Sequence, residues 1–320
     1  MTKPISKGMT VRALVLTLVL LTFSWLATMD TRGWKFNPKA EVKSAKSYRD
    51  SDERSKGEVA AAFSNGPGEL KLNDRRKRYN GSRAMHTVQV SQQAVDAVVA
   101  ELKKQIALPF DITVVFEACG DQDAYYDKDR HKIIVCHELI ESYYYLFSSS
   151  LKATSARNEA TKSVTMSIFL HELGHALIDS WELPITGREE DAADQFAILW
   201  LINRVPEGEQ MVLTTARAFE KVADLEKWEL KDYSDPHSPD GQRFYDTICL
   251  LYGHKPQKYE YLIENGTLPV ERAFKCEEDY ARLNKSWQTL LAPHLVNRTP
   301  SLDFDTLSFL PIPAYSSHKP

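Results

Sequence analysis

The chain has no surplus of basic charge. Its 40 Lys and Arg stand against 44 Asp and Glu, a formal net charge of −4 at pH 7. Nucleic-acid binders are usually basic, so that class is disfavoured and no nucleic-acid partner is expected. Cysteine is scarce: there are four in 320 residues, and none forms a Cys-x-x-Cys pair. A structural zinc site built on thiolates is therefore disfavoured. No internal repeat is present, which sets aside stacked-repeat architectures. Long apolar runs are absent but for one, Ala13 to Met29. What remains has ordinary globular composition, with 43% hydrophobic and 26% charged residues. A chain of this length suits one large domain with a tail, or two domains.

The single apolar run follows Lys3, Lys7 and Arg12, the order of an export signal. Its seventeen residues sit at the lower edge for a membrane span. Ser24-Trp25-Leu26-Ala27-Thr28 offers no clean pair of small residues for cleavage. Residues 1–29 are therefore either an uncleaved anchor, basic end in the cytoplasm, or a removable signal. Both carry the rest of the chain out of the cytoplasm, to a periplasmic or extracellular location, with residues 13–29 as the membrane contact. Export suits the cysteines. Of three possible connectivities the two sequence-near pairings are expected, Cys119 with Cys136 and Cys249 with Cys276. Four reduced, buried cysteines are the alternative. Residues 30–84 are polar and aperiodic, and read as a flexible linker. Within them Arg75-Arg76-Lys77-Arg78 reads as a solvated charge run. The folded domain is expected over 85–295, and the Pro-bearing stretch 296–320 as an extended tail.

The centre of that domain is His171-Glu172-Leu173-Gly174-His175. Met166, Phe169, Leu170, Leu173 and Leu177 recur at helical spacing and predict a helix over about 159–181. Positions i and i+4 share a face, so His171 and His175 can offer two imidazoles to one ion. Glu172 is rotated by about 100° and can take a proton from a metal-bound water. Zinc needs a third protein ligand, and a catalytic site leaves the fourth position to water. Glu190-Asp191-Ala192-Ala193-Asp194 supplies a candidate on a second helix. Glu190 can ligate, while Asp194, one turn on, can accept the other ring N–H of a ligand histidine. Whether Glu189 or Asp191 takes the place of Glu190 stays open. Pro184 and Gly187 are expected to turn the second helix back onto the first.

His-Glu-x-x-His followed by Glu-x-x-Ala-Asp resembles the glutamate-zincin (gluzincin) arrangement. It is similar to the peptidases related to the CaaX prenyl protease, and closer to a bacterial family of metallopeptidase-like proteins with no assigned substrate. The likeness covers about Met85 to Tyr261. It implies an α+β, zincin-like fold with helices packed on one face of a small β-sheet. It also implies a zinc metalloendopeptidase carrying one Zn2+ on His171, His175 and Glu190, with Glu172 as general base and a peptide or protein as substrate. Asp123-Ala124-Tyr125-Tyr126 matches the sheet edge that binds peptides in such enzymes, with Asp123 where Asn is usual. His237 and Arg243 stand six residues apart, as do a His and an Arg in the prenyl-protease-like group. By that likeness they would bind the substrate carbonyl or the developing oxyanion. Read from the residues alone, they are equally a capping histidine and a surface arginine. Two other functions remain open: a zinc-binding chaperone or binding protein of the cell envelope, and a zinc hydrolase of non-peptide substrates.

Around the motif, Ser91 is expected to cap a helix that carries Val95, Val98, Val99, Leu102 and Ile106 and ends by Pro109. Strands are expected over 111–117 and, as a hairpin, over 123–126 and 131–135. Cys136-His137-Glu138 lacks a second histidine and reads as the start of a connecting helix rather than a metal motif. Pro206 at a first helical position should start a helix running to about Leu230, with Phe219, Val222, Leu225 and Trp228 on one side. Ser238 and Pro239 should start another that stops at Gly253. One or two helices are expected over 271–291.

Overall fold

Short strands build the sheet, the inner two of them rich in β-branched residues. Strand β1 is Leu70–Leu72, β2 Ile112–Glu117, β3 Ala124–Asp127 and β4 Lys132–Cys136. Their order is β1-β2-β4-β3, with β1, β2 and β4 parallel and β3 antiparallel to β4 at the edge. Ile112, Val114 and Phe116 of β2 and Ile133 and Val135 of β4 alternate onto one face, which joins the main core. The computed structural model describes residues 68–73, 83–225 and 234–296, all within the unit Ala61–Pro320. The apolar run 13–29, the basic cluster 75–78, Trp228 and the tail after Val296 lie outside the described residues.

Helix α1 (Arg83–Leu102) links β1 to β2 as a parallel crossover. It begins eight residues before Ser91, the expected cap, because Val88 extends the apolar face of Val95, Val98 and Leu102 backwards. Ser91 thus lies mid-helix and buried, its hydroxyl without a hydrogen-bond partner. The folded unit also reaches back into the stretch read as a linker, since β1 lies there. Helix α2 is His137–Leu146, and its Glu138 accepts the backbone N–H of Cys119 and of Gly120 at 3.1 and 3.0 Å. That carboxylate holds the loop after β2 and takes no part in a metal cluster.

Helix α3 (Thr154–Ser180) runs through the middle of the fold, buried from Ala160 to Leu173 except for the half-buried Ile168. A helix packed all round has no solvent face to spare for polar groups, so Thr165 bonds back to the carbonyl of Thr161. Helix α4 is Glu189–Arg204 and α5 Gly208–Ala223. The connection between α3 and α4 turns at Glu182, in a left-handed conformation, and bends again at Gly187, bringing α4 back onto α3. Pro206 precedes the α5 cap, Glu207, instead of occupying the first turn. Leu225 lies beyond the end of α5 and is exposed, so the expected apolar side stops at Val222.

Helix α6 (Asp240–His254) is followed by three short turns, α7 (Pro256–Tyr259), α8 (Tyr261–Glu264) and α9 (Val270–Ala273), and then by α10 (Cys276–Leu291). The cap of α6 is Pro239, not Ser238. Gly253 stands one residue before the end of the helix. It lies inside α6 where α10 crosses, and a Cβ there would stand 2.1 Å from the carbonyl oxygen of Cys276. The Cys249–Cys276 disulfide ties the same two helices, and Cys119–Cys136 ties the loop after β2 to β4. Two disulfides indicate an oxidising compartment. Among the described residues no helix is long and apolar enough to cross a membrane. Because α6 and α10 cannot separate without straining that bridge, Gly253→Ala should cost about 2–3 kcal/mol of stability. Thermal unfolding reads this directly, and an unchanged midpoint would mean the two helices part freely.

Candidate metal centre

His171 and His175 sit one turn apart on α3, with their Nε2 atoms 3.2 Å from each other. Helix α4 crosses α3 where Gly174 meets Ala193. A Cβ on Gly174 would lie 3.1 Å from the Ala193 Cα, so the absence of a side chain permits the close crossing. That crossing carries the first turn of α4 over the imidazoles. Glu190 Oε2 stands 3.1 Å from His171 Nε2 and 3.1 Å from His175 Nε2. The three atoms form a nearly equilateral triangle. A tetrahedral ion held at about 2.0–2.1 Å separates its donors by roughly 3.3–3.4 Å, so the triangle fits such an ion after slight expansion. His237 approaches from the loop before α6, its Nε2 2.9 Å from the same Glu190 oxygen. The donor atoms of His171, Glu190 and His237 all lie within 4.8 Å of one another, a group able to hold a metal ion.

Each ring is held from behind by a carboxylate. His171 Nδ1 lies 2.8 Å from Asp194 Oδ1, His175 Nδ1 2.7 Å from Glu189 Oε1 and His237 Nδ1 3.1 Å from Asp235 Oδ1. A proton on each Nδ1 leaves the Nε2 lone pair facing inward, as metal-binding imidazoles require. Of these backing groups only Asp194 is legible from spacing. Glu189 is identified only once the rotation of α4 is known, and Asp235 only once the loop is folded. Asp191 points elsewhere, to the Ser238 hydroxyl at 2.7 Å and to Arg188 Nε at 3.0 Å. Among the three neighbouring acids, Glu190 alone faces the imidazole pair.

Arg243 stands next to the cluster, paired with Asp194. Its Nε and Nη2 donate to the two oxygens of Asp194, each at 2.8 Å, and its guanidinium lies 4.2 Å over the Phe219 ring. It therefore stands behind Asp194, which stands behind His171. The physical reason is charge: Asp194 is drawn far below the ordinary carboxylate range, burial opposing and Arg243 with His171 prevailing.

The electrostatics of the cluster favour added positive charge. Burial would raise the Glu190 carboxyl, but bonds from His171, His175 and His237 hold it far below its usual value. Burial would lower His171, but Asp194 and Glu190 outweigh it and push the ring up to about 10. A carboxylate that gathers protonated rings around it offers the same place to a cation. Glu172, only 6% exposed, lies beside the cluster, and its carboxyl is raised chiefly by burial.

A cleft of about 460 Å³ opens over these groups, lined by Asp123, Ala124, Tyr126, Glu172, His175 and His237 among others. Its rim is the edge strand β3. The Cys136 N–H donates to Asp123 O, so the register turns the backbone groups of Ala124 and Tyr126 away from β4, toward the open edge. The Tyr126 hydroxyl donates to Asp179 at 2.9 Å and so fastens that edge to the last turn of α3.

No curated protein and no solved structure matches the chain. Residues 75–291 match the model of a family described as "Putative metallopeptidase". That segment covers more than half of the chain and contains every residue of the cluster just described, so the chain belongs to this metallopeptidase family.

Proposed function

We propose that this protein is a zinc-dependent endopeptidase of the gluzincin arrangement, working outside the cytoplasm. The observation that carries the reading is the triangle of His171, His175 and Glu190, with Glu172 buried at its side below an open strand edge. Imidazole nitrogens with one carboxylate oxygen suit zinc among the common divalent ions. In this reading His171, His175 and Glu190 hold the ion. When bound, zinc polarises the scissile carbonyl and acidifies the attacking water. Glu172 takes the proton of that water and passes it to the leaving amine, restoring its own carboxylate. Its burial supports this, since a raised carboxyl is a stronger base. Asp194 fixes the tautomer of His171, and Arg243 acts on the substrate only indirectly, by holding Asp194.

The β3 edge supports a peptide as substrate. An extended chain could add there as a further strand, bonding to the outward backbone groups of Ala124 and Tyr126 and laying its carbonyl over the cluster. The two disulfides support export, with residues 13–29 as signal or anchor. The test is removal of the metal. Protein stripped with a chelator should lose hydrolysis of an unfolded protein such as reduced casein, and one equivalent of zinc should restore it. A zinc-replete protein that leaves casein intact but turns over a small ester would favour the non-peptide hydrolase. One with zinc and no turnover of either would favour a binding protein.

A further inference from the structure

We infer that His237 is a fourth, exchangeable protein ligand of the metal, closing the centre in the resting protein and withdrawing when substrate enters. The inference rests on the zinc reading proposed above and goes beyond it, because the likeness to prenyl-protease-type enzymes gives this histidine to the substrate rather than to the ion.

Geometry comes first. His237 Nε2 lies 2.9 Å from Glu190 Oε2, close to the 3.1 Å and 3.2 Å edges of the triangle made by the other donors. It thus shares with His171 and His175 the one oxygen around which the cluster is built. Its ring also lies nearly parallel to that of His171, with centroids 6.0 Å apart.

The tautomer comes second. Asp235 Oδ1 accepts both the backbone N–H and the Nδ1–H of His237, at 2.8 and 3.1 Å. This is the carboxylate backing that His171 and His175 also have, and it marks imidazoles that give their Nε2 lone pair to a metal. A histidine that donates to an oxyanion needs its proton on Nε2. With Nδ1–H committed to Asp235, the neutral ring presents Nε2 as a lone pair; in the ion-free chain the Glu190 oxygen 2.9 Å away takes the place that an ion would fill.

Mobility comes third. The side chains of His171 and His175 are 9% and 14% exposed and belong to the central helix, whereas that of His237 is 45% exposed and belongs to a loop. It is the one donor that can leave without moving a helix. The loop returns to the same place because Ser238, next in the chain, donates to Asp191 and accepts from Arg188, both at the start of the helix that carries Glu190.

Four protein donors leave a tetrahedral ion no position for water, so such a centre is closed. Opening is a ligand exchange without redox change. The His237 Nε2 withdraws with its own lone pair, and an oxygen lone pair of water or of the substrate takes the vacated place. The freed ring then lies at the cleft wall, beside the incoming peptide.

The test uses the full chain loaded with zinc alone, or with cobalt(II) alone as a spectroscopic stand-in. X-ray absorption of the wild type should fit three imidazoles, and of His237→Ala two imidazoles with an added oxygen. Zinc affinity against a competing chelator should fall at least about tenfold in the variant. Free imidazole added to the cobalt form of the variant should restore the wild-type visible spectrum, which guards against mere misfolding. An identical imidazole count and affinity in wild type and variant would overturn the inference. In that case loss of metal in a parallel His171→Ala variant would still uphold the centre itself. A wild type that takes up no zinc would overturn both.

Discussion

Glu172→Gln should abolish hydrolysis while zinc content and thermal unfolding stay as in the wild type. The substitution keeps volume and hydrogen-bonding shape and removes only the capacity to take a proton. In the proposed mechanism Glu172 is not a ligand, so the ion should stay. The residue is almost wholly buried and its carboxyl is raised by that burial. The charged form is therefore costly in the fold, and a neutral amide should not destabilise it. A residue of this kind is present for its reactivity, since a carboxylate disfavoured by its surroundings gains by accepting a proton. General acid–base catalysis is worth about 10²–10⁴-fold, and here one group serves both halves of the reaction, so kcat should fall by about 10³-fold or more. KM should move little, because in the proposed binding mode β3 and not Glu172 meets the peptide backbone. Turnover by the variant within about tenfold of wild type would remove Glu172 from the base role, since a thousandfold loss is more than about 4 kcal/mol of barrier.

How far the sequence carried the site follows from distance along the chain. His171, Glu172 and His175 are fixed by the helical repeat alone, because residues one turn apart in an α-helix have no other relation. Glu190 and Asp194 were legible by the same rule within their own helix. Which acid of Glu189-Glu190-Asp191 faces the imidazoles was not, because that depends on the rotation of α4 about its axis. That rotation is set by the contact of Gly174 with Ala193, a pairing between two helices. The pairing of Arg243 with Asp194 is hidden for a related reason. The spacing of Arg243 from His237 is a local fact, whereas its partner Asp194 lies 49 residues away and was invisible before folding. The capping residues misled where burial overrode preference. Ser91 has the chemistry of a cap, yet Val88 and Val95 around it pull the segment into one continuous buried face. Gly253 does stand at the end of its helix, and its missing side chain serves a helix crossing as well. Strand β1 is three residues long, too short for any alternation to announce it, and it joins the sheet only because β2 offers a parallel edge.

Glu190→Gln should strip the protein of its metal at zinc concentrations that saturate the wild type. The amide can still offer an oxygen, but without the charge that organises three imidazoles about it. In the metal-free chain that charge is answered by ring protons, which is why burial fails to raise the Glu190 carboxyl and the bonds from His171, His175 and His237 prevail. A divalent ion answers the same charge with fewer groups to protonate, and metal and protons compete for one site. Neighbouring acids cannot stand in. Glu189 is held by His175 Nδ1 and Asp191 by Ser238 and Arg188, so moving either would undo a contact that supports the remaining ligands. Outer supporting groups alone are typically worth about 10–100-fold in metal affinity, so loss of the charged ligand itself should exceed about 100-fold. Chelator competition measures the affinity, and metal analysis after gel filtration gives the occupancy. Full occupancy of Glu190→Gln would mean that the imidazoles suffice, with His237 already the third of them in the bound state. That outcome would recast the centre as a histidine site and Glu190 as an acid that only orders its rings.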